Sequence, residues 1–220
     1  TSRNKPLNAY ENAVLNNESN YNLGFNASQN YGTISKLPVF TSDKLEQYSS
    51  GAIPSTNWYD LVINKYVPQV THSLSGRGGT DKMTYFFSLG YFDEEGVWKS
   101  KDLWAKKYNF RSNITAKITK GLEAEFLING IQTVKHEPGE TSAGVINTVN
   151  NQDPKLGPYA NNDPQYLQNV VEQRNPVAGS YDEISGYRHR NNKNFNGIFA
   201  LNYTVPFLKG LKARFMYNKG

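Results

Sequence analysis

The sequence predicts an all-β fold, an antiparallel meander forming part of a large transmembrane β-barrel, with short helices in the N-terminal segment and in a long loop. Three observations predict it. Met83, Tyr85, Phe87, Leu89 and Tyr91 alternate with Thr84, Phe86, Ser88, Gly90 and Phe92. Tyr108, Phe110, Ser112, Ile114, Ala116 and Ile118 alternate with Asn109, Arg111, Asn113, Thr115 and Lys117, and after Thr119-Lys120-Gly121 the pattern resumes with Leu122, Ala124, Phe126 and Ile128 opposite Glu123, Glu125, Leu127 and Asn129. Successive side chains of a strand point to opposite faces, so each strand has one apolar side and one side of charges and amides. Third, the connections alternate between short and long, as barrels with short periplasmic turns and long outer loops do.

Composition bounds this reading. The chain has 220 residues, is 37% hydrophobic and has a mean hydropathy of −0.67. It contains no apolar run near the ~20 residues of a membrane helix. A membrane strand needs only ~9–11 residues, half of them apolar, so low hydropathy is compatible with a barrel. With no cysteine, disulfide scaffolds and thiolate metal sites are excluded. A net charge of +5, with cations interleaved among apolar residues, offers little to nucleic acid.

In chain order, Pro6 at a first helical position, followed by Leu7, Tyr10, Ala13 and Val14, predicts a short helix ending near Asn16-Asn17. Residues 20–35 read equally as strand or ordered loop. Asp43 with Glu46 resembles a capping box opening a brief helix that Gly51 closes. Trp58, Leu61 and Val62 mark another helical turn. Strand pattern then begins with Val70 to Gly76, followed by a turn over Arg77-Gly78-Gly79-Thr80-Asp81 and a charged loop from Asp93 to Asp102 after the second strand. The last two strands run through Phe195, Gly197, Phe199, Leu201, Tyr203 and Val205, and through Leu211, Ala213, Phe215 and Tyr217, around a Pro206-to-Gly210 turn. Between them and the earlier strands lies the connection 136–191, far longer than the ~12–15 residues usual for a loop without structure. Within it, Asp163-Pro164 followed by Leu167, Val170 and Val171 predicts a capped helix stopped before Asn175-Pro176.

Chemical constellations are weak. His72, His136 and His189 lie in different segments without metal-ligand spacing, and His189 between Arg188 and Arg190 reads as a solvated loop end. Asp93-Glu94-Glu95 are adjacent rather than facing, unlike a glycosidase pair. Asp153 and Asp163 match no calcium loop, and Arg77-Gly78-Gly79-Thr80 precedes a strand rather than a phosphate-binding helix. No residue is assigned a catalytic, cofactor or metal role, and the chain is read as a non-enzyme. The apolar face assigns Tyr85, Phe87, Leu89, Phe110, Ile114, Phe126, Ile128, Phe199, Leu201 and Phe215 to lipid. The alternative is a soluble β-sandwich carbohydrate-binding module, in which this face packs on a second sheet.

Several separated motifs carry a resemblance. Asn57-Trp58-Tyr59-Asp60-Leu61-Val62, Pro68-Gln69, Leu74-Ser75-Gly76, Thr84 to Tyr91, Glu95-Gly96, Tyr108 to Asn113, Lys117-Ile118-Thr119, Asn175-Pro176 and Lys209 to Lys212 occur in that order. Together they resemble the SusC/RagA-type TonB-dependent transporters where plug gives way to barrel. The resemblance implies an outer-membrane barrel of about 22 strands around a plug. It implies import of oligosaccharides or peptides with a SusD-like surface lipoprotein, and energy from the TonB complex through parts not represented here. Residues 1–67 then form the plug-to-barrel junction and residues 68–220 a partial barrel of about six strands, short of the about eight that close the smallest barrel. With no starting Met or signal peptide, the chain is expected to be a piece of a longer polypeptide. The connection 136–191 is expected outside the cell. There Tyr159, Tyr166, Arg174 and Tyr181 are the candidates for partner or substrate contact, because interfaces favour Tyr and Arg.

Overall fold

The computed structural model describes residues 6–31, 38–168 and 174–220, and the side chains of all of these except 24–31. The chain divides into two compact units, one built from residues 1–64, 98–100 and 138–186, the other from 65–97, 101–137 and 187–220.

The second unit is a single sheet of six strands in chain order: β1 (Gln69–Gly79), β2 (Met83–Glu95), β3 (Trp104–Lys117), β4 (Leu122–Pro138), β5 (Tyr187–Thr204) and β6 (Lys212–Lys219). Partners across an antiparallel pair share a face, so the register defines rows of side chains. One row runs Gly78, Tyr85, Ile114, Phe126, and another Leu74, Leu89, Phe110, Gly130. Leu201 faces Phe215 across β5 and β6. The Phe110 and Phe195 rings lie 6.3 Å apart, which places the odd-numbered residues of β5 on the same face. Glycine on this face is covered from the neighbouring strand. A Cβ built at Gly76 would lie 2.5 Å from the Phe87 ring and one at Gly78 2.5 Å from the Tyr85 hydroxyl, while the Phe110 ring lies against Gly130. The aromatic ring fills the gap that the missing side chain leaves on the sheet.

Every strand expected from the alternation is present, but most are longer. β1 continues through Gly79, so the turn is Thr80-Asp81-Lys82, closed by the Thr80 amide donating to the Met83 carbonyl at 2.7 Å. Asp93, Glu94 and Glu95 belong to β2 rather than to a loop. β4 and β5 reach Pro138 and Tyr187, which shortens the connection between them to 139–186. The added rungs carry no apolar stripe. They are held by ring stacking and by Arg188 and Arg190, each 3.7 Å from Glu137, interactions that hydrophobic periodicity does not register.

The first unit is helical: α1 (Ala9–Tyr31), α2 (Ser42–Ser49), α3 (Trp58–Val62), α4 (Ser142–Asn151), α5 (Pro176–Ser180) and α6 (Asp182–Ser185). Its core gathers Trp58, Val62, Ile63, Trp98, Val145, Val149 and Val177, all buried. Trp58 donates its indole N–H to the Asp153 carbonyl at 3.0 Å, and the Thr56 amide donates to the Pro154 carbonyl at 2.8 Å. A buried indole with its hydrogen bond made can contribute its whole apolar area.

Four helix expectations need correction. The first helix is not ended near Asn16-Asn17 but runs to Tyr31, across the stretch read as strand or loop. Among the described side chains of this helix only Ala9 and Ala13 are buried, and Asn16 bonds back to the Asn12 carbonyl at 2.9 Å, so its helical period is too sparse to read. Its start is set by Asn8 rather than Pro6: the Asn8 Oδ1 accepts from the Glu11 amide at 2.8 Å and the Glu11 carboxylate accepts from the Asn8 amide at 2.9 Å, a reciprocal capping box. The second helix is present and ends at Gly51, whose φ of +77° suits glycine, but Thr41 occupies its N-cap and Asp43 lies within its first turn. The third correction is over Asp163-Pro164. Asp163 Oδ1 accepts from the Gln165 amide at 3.0 Å and its carbonyl from the Tyr166 amide at 3.0 Å, forming a tight turn instead of a helix start. Val170 and Val171 lie outside the described residues. Finally, Asn175-Pro176 starts α5 instead of stopping a helix, with Asn175 Oδ1 accepting from the Val177 amide at 3.0 Å.

Among the described residues no helix is long and apolar enough to cross a membrane, a property that says nothing of strands. Asn8→Ala is expected to fray the first turn of α1 by about 1 kcal/mol, read as faster amide exchange at residues 9–12 with unchanged exchange in the sheet.

Candidate functional site

The sheet has two chemically distinct faces. On the first lie Tyr85, Phe87, Leu89, Phe110, Ile114, Phe126, Ile128, Phe199, Leu201 and Phe215, all brought to one side by the register. Tyr85, Phe87, Leu89, Phe110, Ile114, Phe126, Phe199 and Phe215 remain 36–60% exposed. The sandwich alternative requires a second sheet over this face, and the described strands form one sheet only.

Beyond Leu89 and Phe110 the same face changes character. Tyr91 and Tyr108 follow with ring centroids 5.2 Å apart, and His72 stacks on Tyr91 at 6.2 Å. The next rung is an Asp93–Lys106 ion pair at 3.8 Å. Then comes a ring cluster: Trp104 stacks on His136 at 5.5 Å, Tyr187 stacks on His136 at 5.5 Å, and His189 lies 6.0 Å from His136. His189 is thus an exposed strand residue beside aromatic rings rather than a loop end. Its parity along β5 with Phe195 and Phe199 was the signal that could have placed it. Among the described residues no cluster of three or more His, Asp or Glu side chains is arranged to hold a metal ion.

The opposite face carries the charged and amide groups, with Phe86, Phe92, Leu127 and Ile131 interspersed. Asn109, Arg111, Asn113, Lys117, Glu123, Glu125 and Asn129 share it. Glu125 accepts from Asn202 Nδ2 at 2.5 Å and from Arg214 at 3.3 Å, and Arg111 Nε donates to Asn113 Oδ1 at 3.3 Å. Such a face would be costly in hydrocarbon and suits water or a polar partner.

In the helical unit, Tyr159 and Tyr166 flank one turn. Tyr159 bridges to Leu167, and the Ala160 amide donates to the Tyr166 carbonyl at 2.8 Å. Tyr166 is 62% exposed. Arg174 extends into solvent but is tied to Glu140 at 2.5 Å, a pair worth at most about 1 kcal/mol at an exposed position. Tyr181 precedes α6 and is 38% exposed. The structure therefore ties the Tyr159 and Tyr166 segments together through the Tyr159–Leu167 bridge and the Ala160–Tyr166 hydrogen bond, and sets Arg174 and Tyr181 at either end of α5. Asn175 between them is the fastening point, donating from Nδ2 to the carbonyls of Pro158 at 2.8 Å and Gln168 at 3.2 Å.

Comparison with solved structures supplies the deciding observation. The RagAB peptide transporter matches with a TM-score of 0.53 over 92% of this chain and 21% of its own, at 19% identity. The chain has the fold of part of the RagAB transporter. The "open-open" state of the RagAB peptide importer matches with a TM-score of 0.54 over 90% of this chain and 24% of its own, at 18% identity. In sequence, the TonB-dependent receptor P26 of Formosa agariphila is 28% identical over 157 residues, 69% of this chain. The chain spans only 14% of that relative's length. No family model matches the chain.

Asn175→Ala leaves two carbonyls and one amide without their partner, and is expected to loosen residues 158–168 by about 2–3 kcal/mol. Limited proteolysis at 158–168 in the full-length protein measures this, and equal cleavage of variant and parent would count against it.

Proposed function

We propose that the chain is part of an outer-membrane TonB-dependent nutrient importer of a Gram-negative bacterium, with the apolar face of the sheet against lipid and the polar face toward the barrel interior. The observation that carries the reading is the exposed apolar face continuous across six paired strands. At about 3.4 Å per residue, the stretch from Met83 to Tyr91 rises roughly 27 Å along the strand, or about 20 Å when tilted by ~40°, close to the ~25 Å apolar band of such barrels. The Tyr91–Tyr108 row and the Trp104 cluster then fall where aromatic girdles belong. The edges β1 and β6 would leave unpaired backbone in hydrocarbon at several kcal/mol per group, so the reading requires further strands to pair them.

The substrate class follows the relatives. RagAB is a peptide importer by description, and this chain is proposed to serve oligosaccharide or peptide uptake, with no enzymatic step. Its connection 139–186 is placed on the outer side, where Tyr159, Tyr166, Arg174 and Tyr181 would meet a SusD-like lipoprotein or incoming substrate.

Ile114→Arg and Ile128→Arg each place a charge in the apolar band at about 2–4 kcal/mol and are expected to reduce heat-modifiable barrel in outer-membrane fractions of the full-length protein. Normal assembly of both would remove the lipid-facing assignment. Removing 144–180 would take away core residues Val145, Val149 and Val177, so surface substitutions test the loop better. Combined Tyr166→Ala and Tyr181→Ala is expected to weaken lipoprotein co-purification about tenfold or more while barrel assembly stays normal; undiminished co-purification and uptake would make the loop a cover only.

A further inference from the structure

The apolar face is not uniform. Beside Gly130, which the Phe110 ring covers, a depression of about 650 Å³ opens in the sheet unit, within the ~300–1,000 Å³ range of small-ligand sites. Its walls are Leu74, Leu89, Phe110 and Phe195. Its rim is different: Tyr108, Gln132 and Lys193 line it as well. Gln132 is oriented by donating its Nε2 to Asn191 Oδ1 at 3.0 Å. Lys193 is exposed, and no ion pair to it forms among the described residues.

An apolar trough with one cationic, hydrogen-bonding lip has the polarity of an amphiphile. The geometry points to a specific lipid site: an acyl chain lies across the Phe110 and Phe195 rings, and a phosphate head group rests on Lys193. This rests on the membrane reading above, under which the tyrosine row sits at the level of the head groups and the trough descends from it into the hydrocarbon. Charge selects the occupant. A lysine near an anionic membrane surface favours the anion by about fivefold, whereas the apolar walls would accept any acyl chain.

The test uses the full-length transporter, inserted in vesicles of equal phosphatidylglycerol and phosphatidylcholine with identical acyl chains, then extracted and weighed by native mass spectrometry. The parent is expected to retain phosphatidylglycerol about fivefold over phosphatidylcholine, and Lys193→Glu to abolish that preference. Gly130→Ala adds a Cβ that meets the Phe110 ring, swinging it into the trough, and is expected to lower retention of both lipids. Inorganic phosphate in excess should displace neither. Inserted protein that retains both lipids equally overturns the lipid site and leaves the transporter reading intact, as does displacement by phosphate alone. Failure of the parent to insert, scored on the same samples by heat-modifiable migration, overturns the membrane reading and this inference with it.

Discussion

The pairing register of β1 to β4 holds everything else in place. Each strand is only half apolar, so a slip of one residue would turn every apolar side chain to the polar side and carry Arg111 and Glu125 to the other. The backbone ladder alone is indifferent to that slip. What discriminates is the set of cross-strand partners: Tyr85 with Ile114, Ile114 with Phe126, Leu89 with Phe110. The polar face adds its own discrimination, since Glu125 reaches both Asn202 and Arg214 only in this alignment.

The strands were legible because period two is a direct print of strand geometry, and Tyr108 to Lys117 shows it without interruption. It faded toward the end of the sheet at which Trp104, His136, Tyr187 and His189 replace aliphatic residues. There the alternation persists in direction but no longer in hydropathy. The helices were less legible for different reasons. Among its described side chains, α1 buries two alanines. α4 is set by the Thr141 hydroxyl accepting from the Gly144 amide at 3.0 Å and by Val145 and Val149, too short a pattern to stand out from an Asn- and Gly-rich loop. Asn175-Pro176 was read as a stop because proline cannot continue a helix, yet the same pair is a strong start when asparagine caps and proline follows.

Of the candidate contact residues, sequence reasoning selected residue types and location, and the structure supplied the mutual placement of Tyr159 and Tyr166 and the restraint on Arg174. It could not have found Asn175, whose importance lies in three hydrogen bonds across a connection that has no period. Nor could it have found the trough beside Gly130, because its lining comes from five strands and not from any one stretch of chain.

The rings laid over Gly76, Gly78 and Gly130 make each glycine and its aromatic neighbour a single covering element shared between two strands. A larger residue at the glycine collides with the ring, and a smaller residue at the aromatic position leaves bare backbone beneath it. Changing both together can restore a filled surface. Variation along this side of the sheet should therefore be epistatic: Gly76 with Phe87, Gly78 with Tyr85 and Gly130 with Phe110 drift as linked pairs, and the substitutions tolerated at one are set by what already stands at the other.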